Sequence, residues 1–256
     1  MIGSSPPFAP VNEQDSGDVV EVLVRTLSRR DRVSPEEHAA LAAALGQVRV
    51  HPAGDVLVRA GAPVGNSTLL LDGLISREFQ LPDGKRQIVA LHVPGDFVDL
   101  HSLLLKKLDH DVVALSDVRV ALFPHEGLRH ITETRPHLTR MLWLLTTIDA
   151  AVHREWTARL GHPALIRVAQ LLCELYERLT IVGGASEQGF PLQLTQADIA
   201  DMTGLTAVHV NRTLRRLREA GLAIVRSGYA SIPAADRLAA FCGFDPTYLY
   251  MHHQPR

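Results

Sequence analysis

The sequence predicts an α+β protein: an antiparallel β-roll, then one long helix, then a small helical module closed by a β-hairpin. Three observations carry this. Glycines at 54, 61, 65, 73, 84 and 95 cut residues 48–120 into short runs rich in valine, leucine and isoleucine. After Pro136, neither glycine nor proline recurs before Gly161, and apolar residues repeat at helical spacing. Beyond that, two short amphipathic stretches flank Gly204, and a Ser227-Gly228 turn joins two apolar runs.

The 256 residues are 46% hydrophobic and 21% charged, ordinary for one large folded domain or two smaller ones. The apolar runs at 141–145 and 112–115 fall far short of the roughly 18 residues a membrane span needs. MIGSSPPFAPVNEQDSGDVV has no basic start followed by an apolar core, so residues 1–20 read as a flexible tail of a cytoplasmic protein. Cys173 and Cys242 have no CxxC partner, which argues against a disulfide framework. The net charge of -2 conceals a local patch: residues 206–226 hold arginines 212, 215, 216, 218 and 226 against the single acid Glu219.

In chain order, Ser34-Pro35-Glu36-Glu37 predicts a helix start, with an N-cap, a first-turn proline and acids near the positive helix end. VLVRA, TLLLDGLISREF, RQIVALHV and VVAL read as strands, bounded by turns that include Pro82-Asp83-Gly84 and Pro94-Gly95-Asp96. With flanking helices they form an expected sensor domain at 21–133. The long helix occupies 134–161. Along it Leu138, Leu142, Leu145, Val152 and Trp156 step by four, three, seven and four, a heptad-like seam expected to face a second copy of the chain. Met141, Leu144 and Ile148 widen the stripe. Gly161-His162-Pro163 stops the helix.

The module at 162–235 opens with the amphipathic ALIRVAQLLCELYERLTIV, followed by GGASEQGF, which reads as a loop. Thr195 then caps a short helix whose third position is Asp198, an acid-ended capping box. Gly204 allows a left-handed turn, Leu205 fills the corner, and Thr206 caps a second helix whose buried side is Val210, Leu214 and Leu217. This is a helix-turn-helix. Its opposite face carries Ala207, Val208, Asn211, Arg212 and Arg215, with His209 at the shoulder. Arginine can bond guanine twice, asparagine can pair with adenine, and alanine or valine can touch a thymine methyl. Thr195, Gln196 and Thr206 sit at helix N-termini, which suit phosphate. LAIVR and YASIP form a hairpin wing with Arg226 near its tip. Double-stranded DNA is the expected partner. Residues 236–256 are read as a terminal helix and tail, with Leu238 and Phe241 on one helix face.

With these residues in place, the chain resembles the catabolite activator and fumarate-nitrate regulator (Crp/Fnr) family of bacterial transcription factors over about residues 35–233. LTQADIADMTGLTAVHVNRTLRRL is the specific motif. The resemblance implies a cyclic-nucleotide-binding-like jelly roll that senses an effector, a dimerisation helix, and a winged helix-turn-helix. It also implies a homodimer on a palindromic site, and RNA polymerase as a further partner. Two departures qualify it. Where cyclic-AMP-binding members carry an Arg-Glu pair on the recognition helix, Ala207 and Val208 stand here, with Arg212 retained, and Thr213 takes a position usually apolar. Aligned on Pro94-Gly95-Asp96-Phe97, Asp99-Leu100 replaces the ribose-binding Gly-Glu, and no arginine lies between Arg86 and Arg119 to hold a cyclic phosphate. Lys106 and Lys107 beside Asp109 read as a solvated loop. The expected effector is therefore not cyclic AMP, and Asp99, Leu100, His101 and Ser102 become the pocket candidates.

A β-roll also hosts metal-dependent cupin enzymes, the alternative of a different class. Those need a close His-x-His with further ligands, and none occurs; His92, His101 and His110 stand nine apart, which does not place them together on one strand, though folding can still gather some of them. GxSxG and Walker motifs are missing, and two cysteines cannot hold an Fe–S cluster from one chain. No enzymatic activity is expected. A third reading is a DNA-binding regulator that needs no effector.

Overall fold

The structure, a computed structural model, describes residues 13–255. In chain order the elements are α1 (Glu13–Ser28), α2 (Pro35–Ala44), β1 (Val48–His51), β2 (Val56–Val58), β3 (Asn66–Asp72), β4 (Ile75–Gln80), β5 (Arg86–His92) and α3 (Ser102–Leu105). β6 (Asp111–Ala114), β7 (Val118–Pro124), α4 (His125–Thr134), α5 (Pro136–Arg159), α6 (Ala164–Ile181), β8 (Gly189–Pro191), α7 (Gln196–Thr203) and α8 (Ala207–Glu219) follow. The chain closes with β9 (Ile224–Arg226), β10 (Tyr229–Ser231), α9 (Ala235–Cys242) and a 3-10 turn at Pro246–Leu249. No helix among the described residues is long and apolar enough to cross a membrane.

Two antiparallel sheets, β1-β7-β3 and β2-β6-β4-β5, face each other across Leu70, Ile75, Val98, Val112, Val118 and Val120. This is the expected roll. The outer face of β1-β7-β3 is covered by α1, α2, α4 and the start of α5, through Leu23, Leu41, Leu128, Ile131, Leu138 and Met141. Covered on both sides, β3 is buried at consecutive positions rather than alternate ones. Part of the tail expected at 1–20, residues 1–12, lies outside the described residues. Residues 13–20 instead open α1, whose Val19 and Val20 are buried against the roll.

The seam expected on α5 does not face outward. Leu138 and Leu142 pack into the N-terminal core, Leu145 is half-buried, Val152 packs on Leu249, and the Trp156 indole N–H donates to Glu174 at 3.1 Å. The reason is that the wide apolar stripe is filled by the chain's own roll, its C-terminal module and its tail. The exposed face is instead Arg140, Trp143, Thr147, Ala150, Arg154 and Thr157, spaced three and four in alternation, with Trp143 72% exposed.

α6 is the spine of the C-terminal module, burying Val168, Leu172 and Leu175 against Ile199, Val210, Leu217 and Phe190. Leu74, Ile88, Leu91 and Val93 of the roll share that core, so the two halves are packed as one body. β8 adds a strand to the wing (order β8-β10-β9) inside the stretch read as a loop. Ser227 and Gly228, at φ +51° and +73°, make the tight wing turn. At the C-terminus Leu238 is buried, whereas Phe241 is exposed; Cys242 takes the inward position and lies 3.8 Å from Cys173.

Candidate nucleic-acid interface and the β-roll cavity

Local chemistry sets the two helices of the interface. Thr195 Oγ1 accepts from the Asp198 N–H at 3.1 Å while Asp198 Oδ2 accepts from the Thr195 N–H at 2.8 Å, so α7 starts with a closed capping box. Gly204 ends α7 at φ +63°, a conformation other residues rarely adopt. Thr206 Oγ1 then accepts from the His209 N–H at 3.3 Å and starts α8. Val210, Thr213 and Leu217 face the core; Leu214 is half-buried. Thr195, Gln196, Thr206, Ala207, Val208, His209, Asn211, Arg212, Arg215 and Arg226 are all exposed. Arg215 keeps a loose pair with Glu219 at 3.5 Å. The arrangement presents donors and a methyl-bearing surface on one helix, dimensioned for a major groove.

A cavity of about 70 Å³ lies between the roll, α5 and α6. Leu100 and His101, two of the four pocket candidates, line it. Asp99 and Ser102 do not. Asp99 is fully buried, its carboxylate accepting from the Thr68 N–H at 2.5 Å and from Thr68 Oγ1 at 3.1 Å, so it ties the Pro94 turn to β3. Burial raises its carboxyl to about 7, against the lowering effect of those bonds. Ser102 Oγ lies 3.1 Å from His125 Nε2, both buried. His92 also lines the cavity; burial and then the nearby Arg77 charge lower it to about 4, and its Nε2 has no hydrogen-bond partner. His101 and His110 approach to 5.6 Å between ring centroids. Among the described residues no group of three or more His, Cys, Asp or Glu is arranged to hold a metal.

Comparison with known proteins assigns both halves. A cyclic nucleotide-binding domain matches residues 48–135, and a Crp-like helix-turn-helix domain matches residues 166–241. The nitrogen fixation regulation protein FixK of Bradyrhizobium diazoefficiens is 33% identical over 168 residues, which is 65% of this chain and 70% of that protein. The chain belongs to the Crp/Fnr family. The transcriptional activator protein FnrL of Cereibacter sphaeroides is 27% identical across 68% of this chain and 71% of its own length. The structure of FixK2 from Bradyrhizobium japonicum superposes with a TM-score of 0.69 at 25% identity, covering 76% of this chain and 96% of that one. As a Crp/Fnr protein it is a DNA-binding transcriptional regulator.

In this Crp/Fnr regulator the charged groups that organise the cavity lie mostly outside residues 94–102. Arg77 of β4 is buried; its Nε donates to the Val98 carbonyl at 2.7 Å and Nη1 to Asp149 of α5 at 2.6 Å. Burial works to raise Asp149, but the charges of Arg77, His92 and His153 together with the Arg77 hydrogen bond outweigh it, so the carboxyl is lowered. Arg178 of α6 donates to Asp96 at 2.5 Å and to Glu174 at 3.0 Å. Burial opposes the Asp96 charge too, yet Arg178 holds that carboxyl well below the usual range. No sequence signal links Arg77 to Asp149, 72 residues apart. The one visible trace is the seven-residue step from Leu145 to Val152, which spans Asp149.

Proposed function

We propose that the protein acts as a homodimer that reads an inverted-repeat DNA site, one α8 per half-site, with the roll and α5 setting the distance between the two. The observation that carries this is the capped, exposed face of α8: Ala207, Val208, Asn211 and Arg212 stand toward solvent, while Val210 and Leu217 lock the helix from behind. In this reading Thr195, Gln196, Thr206 and Arg226, all exposed, contact phosphate. The exposed heptad-spaced face of α5 around Trp143 is the dimer seam in this reading. Relatives named as transcriptional activators support RNA polymerase as a second partner.

The roll's response is not to a cyclic nucleotide in this reading. About 70 Å³ is well under the roughly 300 Å³ at which drug-sized ligand pockets begin. Arg77 is already neutralised by Asp149, which favours the effector-independent form of the regulator. Selection from random duplex DNA tests the main proposal: an enriched inverted repeat, with binding that weakens steeply as salt rises, is expected. Failure to enrich any sequence sinks it. Arg212→Ala should relax preference at one base pair per half-site by about 1–3 kcal/mol, and Trp143→Glu should give monomers in sedimentation analysis while half-site binding persists.

A further inference from the structure

The C-terminal segment lies beyond the helix-turn-helix match, which ends at residue 241, yet it follows a fixed path back across the molecule. Phe244 meets the Tyr248 ring edge-on, with 6.2 Å between centroids. Asp245 Oδ1 accepts from the Thr247 N–H at 2.9 Å and starts the 3-10 turn. Tyr248 Oη donates to Glu174 Oε2 of α6 at 2.7 Å and accepts from Arg159 of α5, whose guanidinium also pairs with Glu174 at 2.8 Å. Leu249 is 2% exposed, packed with Ile148 and Val152 of α5, and forms part of the cavity wall with Arg77, His92 and Asp149. Its carbonyl accepts from Arg30 Nη2 at 3.1 Å, and the Gln254 N–H donates to the Arg30 carbonyl at 2.8 Å.

A chain end with only its own contacts is ordinarily disordered. This one is tied to α1 beside the roll, to the long helix and to the DNA-reading module together. Its one buried apolar side chain packs on Ile148 and Val152 of α5, where that helix borders the cavity it shares with the roll. We propose that residues 244–254 act as a resident ligand beside that cavity: Leu249 closes one wall of it, leaving about 70 Å³, in place of a diffusible effector, and the docked tail fixes α5 against the DNA-reading module. This rests on the dimeric DNA-binding reading above, in which α5 sets half-site spacing.

The test uses the full-length protein and its Leu249→Asp variant, which puts a charge between Ile148 and Val152, with Tyr250→Ala, at an exposed position, as control. Amide exchange and affinity for a half-site duplex and for the full inverted repeat are measured. In Leu249→Asp the Gln254 amide should lose protection and full-site affinity should fall at least tenfold, with half-site affinity unchanged. A synthetic peptide of residues 244–256 should restore the full-site affinity. Should Leu249→Asp fail to fold, Tyr248→Phe, which keeps the ring but loses the Glu174 bond, should show the same full-site defect in weaker form. Unchanged full-site affinity with a freely exchanging tail overturns the proposal. So does an equal loss on half-site and full site, which places the tail's role in the stability of the reading module. Wild-type protein that selects no inverted repeat defeats the dimeric reading itself, and shows this before any variant is made.

Discussion

Two helix starts in opposite halves of the molecule are built alike. At α2, Glu37 Oε2 accepts from the Ser34 N–H at 2.9 Å, and Glu37 Oε1 lies 2.6 Å from His137 of α5. At α7, Asp198 Oδ2 accepts from the Thr195 N–H, and Asp198 Oδ1 takes the Arg86 guanidinium of β5 at 2.5 Å. In each, one carboxylate oxygen starts the helix and the other fixes where that helix sits. The partners differ in kind: an arginine stays charged at any working pH, whereas a histidine titrates near neutrality. The DNA-reading module is therefore docked by a permanent ion pair, and the N-terminal helices by a titrating one.

Asp198→Ala should break that comparison most severely. It removes the carboxylate half of the capping box and leaves Arg86, which is 27% exposed and also held by Asp201 at 2.9 Å, with one carboxylate fewer. A loss of about 2–3 kcal/mol is expected in urea unfolding, below the range for a fully buried pair because Asp201 remains. Arg86→Met keeps the capping box intact but leaves Asp198, Asp201 and the buried Glu78, 3.7 Å from Arg86, without their shared cation, so it should cost a comparable amount.

The same two sites show what was legible in the sequence. Thr195-x-x-Asp198 and Ser34 with its proline and acids are local signals, and both helices begin where those residues place them. Arg86 and His137 stand 112 and 100 residues from their partners, and nothing in spacing or composition joins them. The two helices of the helix-turn-helix and their caps could be read because their determinants are neighbours in the chain. The α5 stripe could not, because its periodicity shows that one face is apolar and leaves open what covers it. Leu138 and Trp156 carry the pattern of a dimer seam and are satisfied within one chain. Asp99 does not line the cavity for a related reason: Leu100 and His101 beside it reach the cavity, while its own carboxylate is bonded to Thr68 of β3.

The local halves of the two boxes can be compared directly. Ser34→Ala and Thr195→Ala each remove one cap oxygen, and each should cost about 1 kcal/mol, whatever the distant partner. Equal shifts in urea midpoint confirm that capping and docking are separable. A much larger loss for Thr195→Ala would mean that the hydroxyl, which also donates to Asp198 Oδ2 at 2.7 Å, orients the carboxylate for Arg86.

The smallest effect is the most diagnostic, because it depends on the kind of partner. Burial works against the protonated form of His137, but Glu37 and Asp31, the latter 3.1 Å from Nε2, outweigh it, so its pKa is raised above the ordinary 6.5. The native state therefore holds the proton more tightly than the unfolded chain. The resulting stability is complete below about pH 6.5 and is lost as pH rises through the native value. With the side chain 27% exposed, the whole change should stay below about 1 kcal/mol. His92, lowered to about 4, and Asp99, raised to about 7, titrate as well. Both are present in wild type and in His137→Gln, so the difference between the two proteins isolates His137. That difference should be largest near pH 6 and shrink toward pH 8, while the loss caused by Asp198→Ala stays constant over the same interval. A His137→Gln difference that does not change with pH would mean that the histidine contributes packing and no charge.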